Sequence, residues 1–108
     1  MNLPAEIFGS VIVVHTPEEL GADQIGEFSG YMDSVERSQV VLDLDHTEMF
    51  DSAGLTAVLD AQDRLRQRGG AVKIATTNAT IRKILEITRL EQHLEIFDSV
   101  IDAVKSFQ

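Results

Sequence analysis

Residues 39–75 constrain the fold more than any other part of the chain. In Gln39 to Leu44, the apolar residues Val40, Leu42 and Leu44 alternate with Val41 and Asp43. That pattern predicts a strand with one fully apolar face and a second that is partly so. After the loop Asp45-His46-Thr47-Glu48-Met49, the spacing predicts a helix from Ser52 to Arg68. Its inward stripe is Leu55, Val58, Leu59 and Leu65, with Gln62 an imperfect member. Gly69-Gly70 ends this helix, as a C-terminal glycine does, and Ala71 to Ala75 reads as the next strand. Two strands joined through a helix need a crossover, which implies parallel pairing.

The flanking segments extend this unit. Val11-Ile12-Val13-Val14 is a β-branched run bounded by Gly9-Ser10 and by Pro17. It predicts the second arm of a hairpin turning at Gly9-Ser10, with residues 3–8 as the first arm. Thr16-Pro17-Glu18-Glu19 has the spacing of a helix start, with Thr16 as N-cap, Pro17 in first position and Glu19 as capping-box partner. Ile25, Phe28, Met32 and Val35 continue at helical spacing, while Gly21, Gly26 and Gly30 weaken the helix and predict that it resumes near Asp23. Thr77-Asn78 caps a short helix with Ile81, Ile84 and Leu85 inward, and Leu94-Glu95-Ile96-Phe97 is a last short strand. Asp98-Ser99 caps a final helix with Ile101 and Val104 inward, and Ser99 and Asp102 have capping-box spacing. The order is β-β-α-β-α-β-α-β-α. The fold class is α/β, a mixed, mostly parallel sheet with helices mainly on one face, because each helix has a single apolar stripe.

Composition narrows the function classes. A chain of 108 residues with 44% apolar content predicts one domain with a real core. The net charge of −9, from 18 acidic and 9 basic side chains, disfavours direct nucleic-acid binding and anionic membranes and favours a partner with a basic face. Arg64, Arg66 and Arg68 fall near one helix end, where cations suit the dipole. The absence of cysteine removes disulfides, zinc thiolates and cysteine nucleophiles. No apolar run is long enough for membrane insertion, and the N-terminus lacks a basic segment followed by an apolar one, so a cytoplasmic location is expected.

The junction Phe50-Asp51-Ser52-Ala53-Gly54-Leu55 puts a serine hydroxyl beside the unpaired N–H groups of a helix start. Ser52 there is either a simple helix cap or a phosphorylation switch. Phe50 and Leu55 anchor the turn on both flanks, Gly54 leaves the backbone open to a partner, and Asp45, Glu48 and Asp51 gather around it. A serine hydrolase would need a base and an oxyanion hole. Of His15, His46 and His93, only His46 lies close in sequence, and no Gly-x-Ser-x-Gly elbow is present. Asp43, Asp45, His46 and Asp51 match no standard metal-ligand spacing. Gly69-Gly70 follows a helix instead of opening one, so no cofactor is expected.

Val41-Leu42-Asp43-Leu44, a short loop and Asp51-Ser52-Ala53-Gly54-Leu55 resemble the hallmark of STAS domains, the anti-anti-sigma factor (anti-sigma factor antagonist) family. The resemblance continues through Gly69-Gly70-Ala71-Val72-Lys73-Ile74, the helix Ile81 to Leu90 and Leu94-Glu95-Ile96-Phe97. Three positions depart from it. Val14-His15-Thr16-Pro17 replaces a Gly-x-Leu-Asp turn common in the family, Arg89 stands where a glycine is expected, and Ala53 replaces a second serine. The resemblance implies a single STAS domain over residues 1–108 that binds and does not catalyse. Ser52 would be phosphorylated by an anti-sigma factor that is itself a serine kinase. Unmodified protein would bind that kinase and free its sigma factor, and a metal-dependent, PPM-type phosphatase would reset the phosphorylated form. The partner-binding surface would be Asp51, Ser52, Ala53 and Gly54, bordered by Met49, Leu55, Thr56 and the first strand–helix loop. The alternative role is a non-catalytic accessory subunit of an ABC-type lipid transport complex, docked permanently on its ATPase.

Overall fold

A crossover helix carries the chain from each parallel strand to the next, and the order of the sheet follows. The computed structural model describes the backbone of residues 1–108 and every side chain except that of Glu91. Strands β1 (Ala5–Phe8) and β2 (Val11–His15) form the expected hairpin, with Phe8 opposite Val11 across the Gly9-Ser10 turn. A two-residue strand β3 (Glu19–Leu20) and helix α1 (Ile25–Ser34) lead to β4 (Gln39–Asp43). A second two-residue strand, β5 (Met49–Phe50), precedes α2 (Ser52–Gln67) and β6 (Ala71–Ala75). Helix α3 (Ala79–Ile87), a 3-10 turn, β7 (Glu95–Phe97) and α4 (Val100–Lys105) complete the chain. The main sheet runs β1-β2-β4-β6-β7, with only the β1–β2 pair antiparallel.

Alternation along β4 divides the core as its residues predict. Val40, Leu42 and Leu44 join Val72 and Ile74 beneath Phe28 and Met32 of α1, Leu55, Val58 and Leu65 of α2, and Ile81 and Leu85 of α3. On the opposite face, Val11, Val13, Val41 and Ala75 meet Ala103 and Val104 of α4. Three helices therefore cover one face and a single short helix the other. Asn78 caps α3 by accepting from the N–H groups of Thr80 and Ile81, and Ser99 caps α4 by accepting from that of Asp102. Helix α2 ends at Gly69, at φ +79°, and the N–H of Gly70 turns back to the Leu65 carbonyl at 2.8 Å.

Three local expectations are corrected. Thr16 caps no helix: it is buried, and its N–H and hydroxyl both donate to the Asp43 carbonyl at 3.1 Å. Glu19 is strand, not a capping-box partner, and α1 begins only at Ile25. Gln62 is inward, as expected of an imperfect member of the α2 stripe, and it also connects elements, accepting from the N–H of Val72 and donating to the His93 carbonyl. Ile101 points to solvent at 66% exposure, because α4 turns Val100, Ala103 and Val104 to the sheet instead.

Candidate functional site

The β4–α2 loop is held at both ends. Asp43 Oδ1 accepts from the N–H of Asp45 at 3.0 Å, and Asp45 Oδ1 accepts from the N–H of Thr77 at 2.6 Å and from the Thr76 hydroxyl at 3.1 Å. Asp45 is thereby turned toward the start of α3, away from Asp51, and the expected cluster of three acids loses a member. Thr47 is buried, its hydroxyl donating to the Pro17 carbonyl and lying against the hydroxyl of Thr16. The N–H groups of Glu48 and Met49 both donate to the Glu18 carbonyl, and β5 pairs in parallel with β3 as Glu19–Met49 and Leu20–Phe50. This two-stranded ribbon forms the floor on which α2 begins.

Asp51, not Ser52, is the N-cap. Its Oδ1 accepts from the N–H of Gly54 at 3.0 Å, and Oδ2 accepts from that of Ala22 at 3.4 Å. One carboxylate thus satisfies a helix-start donor and ties the β3–α1 loop to it. Ser52 is the first helical residue and is exposed, and its hydroxyl makes no hydrogen bond among the described residues. The Ser52 carbonyl accepts from the hydroxyl of Thr56, one turn on and also exposed, at 3.0 Å. Met49 is 39% exposed beside them. Ala53 is half-buried, whereas Gly54 and Leu55 are buried.

Gly54 has a different neighbour from the one its sequence context predicts. A Cβ at this position would lie 2.1 Å from the Leu20 carbonyl oxygen. The glycine therefore admits β3 of its own chain, and its backbone is not open to a partner. Gly21, the residue after Leu20, leaves room for two side chains of the site, since a Cβ there would meet Met49 Cε at 2.7 Å and Asp51 Oδ2 at 2.8 Å. Leu20, Gly21 and Ala22 thus belong to the site. The sequence reading names the first strand–helix loop as a border of the site but singles out none of these three residues for it. The exposed surface left around the hydroxyl is Met49, Asp51, Ser52 and Thr56.

His46 is an exposed loop residue, and no histidine hydrogen-bonds to Ser52 among the described residues. Among those residues no group of three or more histidine, aspartate or glutamate side chains is placed to hold a metal ion. Among the described residues no helix is long and apolar enough to cross a membrane.

Comparisons with known proteins agree with this fold. The Anti-sigma F factor antagonist of Paenibacillus polymyxa is 25% identical over 114 residues, covering 100% of this chain and 97% of its own length. An anti-sigma factor antagonist from Mycobacterium paratuberculosis superposes with a TM-score of 0.86 at 18% identity, covering 97% of this chain and 92% of that one. The Bacillus cell fate determinant SpoIIAA, solved in its phosphorylated form, superposes at 0.74 with 14% identity, covering 99% and 100%. The sequence model of the STAS domain matches residues 2–103, nearly the whole chain, and the protein therefore belongs to the STAS domain family.

Proposed function

We propose that this protein is a phosphorylation-switched anti-anti-sigma factor. Unmodified, it binds an anti-sigma factor that is also a serine kinase, and the bound sigma factor is set free. The kinase phosphorylates Ser52 and lets go, and a metal-dependent, PPM-type phosphatase returns the protein to its binding form. The chain itself acts by docking and performs no catalysis.

One observation carries this reading: Ser52, the first residue of α2, is exposed and its hydroxyl has no hydrogen-bond partner among the described residues. The relative named as an Anti-sigma F factor antagonist supports the role, and the phosphorylated form of a protein with the same fold supports the chemistry. A phosphate at this position sits by a helix N-terminus, where negative charge is tolerated, so the fold survives the modification. It also adds about −1.5 to −2 charges and bulk to the docking surface beside Asp51. Like-charge contact at an interface costs several kcal/mol, and each ~1.4 kcal/mol is about tenfold in affinity. Release then needs no conformational change.

Incubation with the partner kinase and ATP, followed by mass spectrometry, is expected to place one phosphate on the wild type and none on Ser52→Ala. In a pull-down, Ser52→Asp is expected to retain the kinase at least ~10-fold more weakly than Ser52→Ala. Label persisting on Ser52→Ala overturns the modification site, and equal retention of both variants overturns regulated release.

A further inference from the structure

Glu6, His15 and Asp43 stand together on three adjacent strands, β1, β2 and β4, on the face that α4 covers. His15 Nδ1 lies 2.8 Å from Asp43 Oδ2, and Nε2 lies 2.8 Å from Glu6 Oε1. A carboxylate only accepts hydrogen bonds, so both contacts need a ring that donates from both nitrogens. Only the imidazolium does so.

The two carboxylates differ. The Asp43 side chain is 8% exposed and already holds the N–H of Asp45, whereas that of Glu6 is 58% exposed and has no other hydrogen bond among the described residues. Strand β1 forms one edge of the sheet, and all four of its residues are exposed. The Glu6–His15 contact is the only side-chain hydrogen bond from β1 among the described residues.

We propose that His15 is a protonation-controlled latch that fastens the edge strand β1 to the sheet. With its proton, the ring spans Glu6 and Asp43. When the proton passes to solvent, the remaining N–H stays with Asp43, because a buried carboxylate is the more costly group to leave unpaired. The Nε2 lone pair then faces Glu6, which turns out to water, and β1 keeps only its backbone ladder.

The electrostatics act in the same direction. Burial by itself would weaken the ring's hold on its proton. The hydrogen bonds and charges of Glu6 and Asp43 outweigh burial and raise the pKa above the ordinary 6.5. The ionisable groups of α4, Asp102 and Lys105, are exposed, and among the described residues neither forms a hydrogen bond or salt bridge with the ring. A raised folded-state value means that the tie is complete below the ordinary histidine range. It is lost as pH rises through the raised value.

Amide hydrogen exchange of the full chain at pH 6 and pH 9, with each rate corrected for its intrinsic pH dependence, tests the latch. Wild-type β1 is expected to lose about threefold in protection at the higher pH, the size of effect an exposed charge contact provides. Glu6→Gln keeps a polar partner for Nε2 in either ring state, so its β1 protection is expected to be the same at both pH values. NMR titration of the His15 ring is expected to show a lower pKa in that variant. Equal wild-type protection at the two pH values, or the same fall in Glu6→Gln, overturns the latch. Neither result bears on Ser52.

Discussion

Two neighbouring residues at the start of α2 divide the work. Asp51 supports the fold: its carboxylate accepts from Gly54 and from Ala22, joining the helix start to the β3–α1 loop. Ser52 has no such duty. Asp51→Ala is therefore expected to lower stability by about 1 kcal/mol or somewhat more, since an N-cap and a second tie go together. Ser52→Ala is expected to stay within about 0.5 kcal/mol of wild type. Urea denaturation of the two variants checks both. An Asp51→Ala midpoint equal to that of wild type would remove the cap from the account. The Asp-Ser pair was legible in the sequence as a helix start. Which of the two capped the helix was not, because both residue types cap well and only the backbone at Asp51 decides it.

The same contrast holds between elements. The strand Gln39–Asp43 and the helix after it were legible because local alternation and helical spacing encode them. The β3–β5 ribbon was not. Each strand is two residues long, and the partner of Glu19 is Met49, 30 residues away, so no local pattern records the pairing. Thr16 to Glu19 has the spacing of a helix start and is drawn elsewhere, since Thr16 gains two bonds to the Asp43 carbonyl and Leu20 gains a fully buried place in the core. The glycines separate by the same logic. Gly54→Ala forces a Cβ against the Leu20 carbonyl and is expected to cost about 1–3 kcal/mol and to loosen the ribbon. Gly30→Ala lies inside α1 with nothing within 4 Å of the new Cβ and is expected to stabilise by about 0.5–1 kcal/mol. Thermal unfolding of the pair reads opposite signs; a shift in the same direction for both would show that close packing at Gly54 is unimportant.

Across the whole molecule, the two sheet faces are unequal. Three helices close the larger core, whereas α4 buries only Ala103 and Val104 against the sheet, with Val100 half-buried beside them. Lys73 assists from β6: its ammonium lies 4.1 Å from the centre of the Phe107 ring and donates to the hydroxyl of Ser106 at 2.8 Å. Few buried apolar contacts mean a low local opening energy. Native-state hydrogen exchange is expected to show α4 opening about tenfold or more often than β4 and β6. Exchange of α4 only through global unfolding would refute that ranking.

The exposed, unbonded side chain at Ser52 has one more consequence, because the chain contains no cysteine. A single Ser52→Cys exchange swaps one small unburdened group for another and gives the molecule its sole thiol. A dye or crosslinker attached there sits on a framework it does not disturb, and it reports what touches that spot, and how soon it leaves.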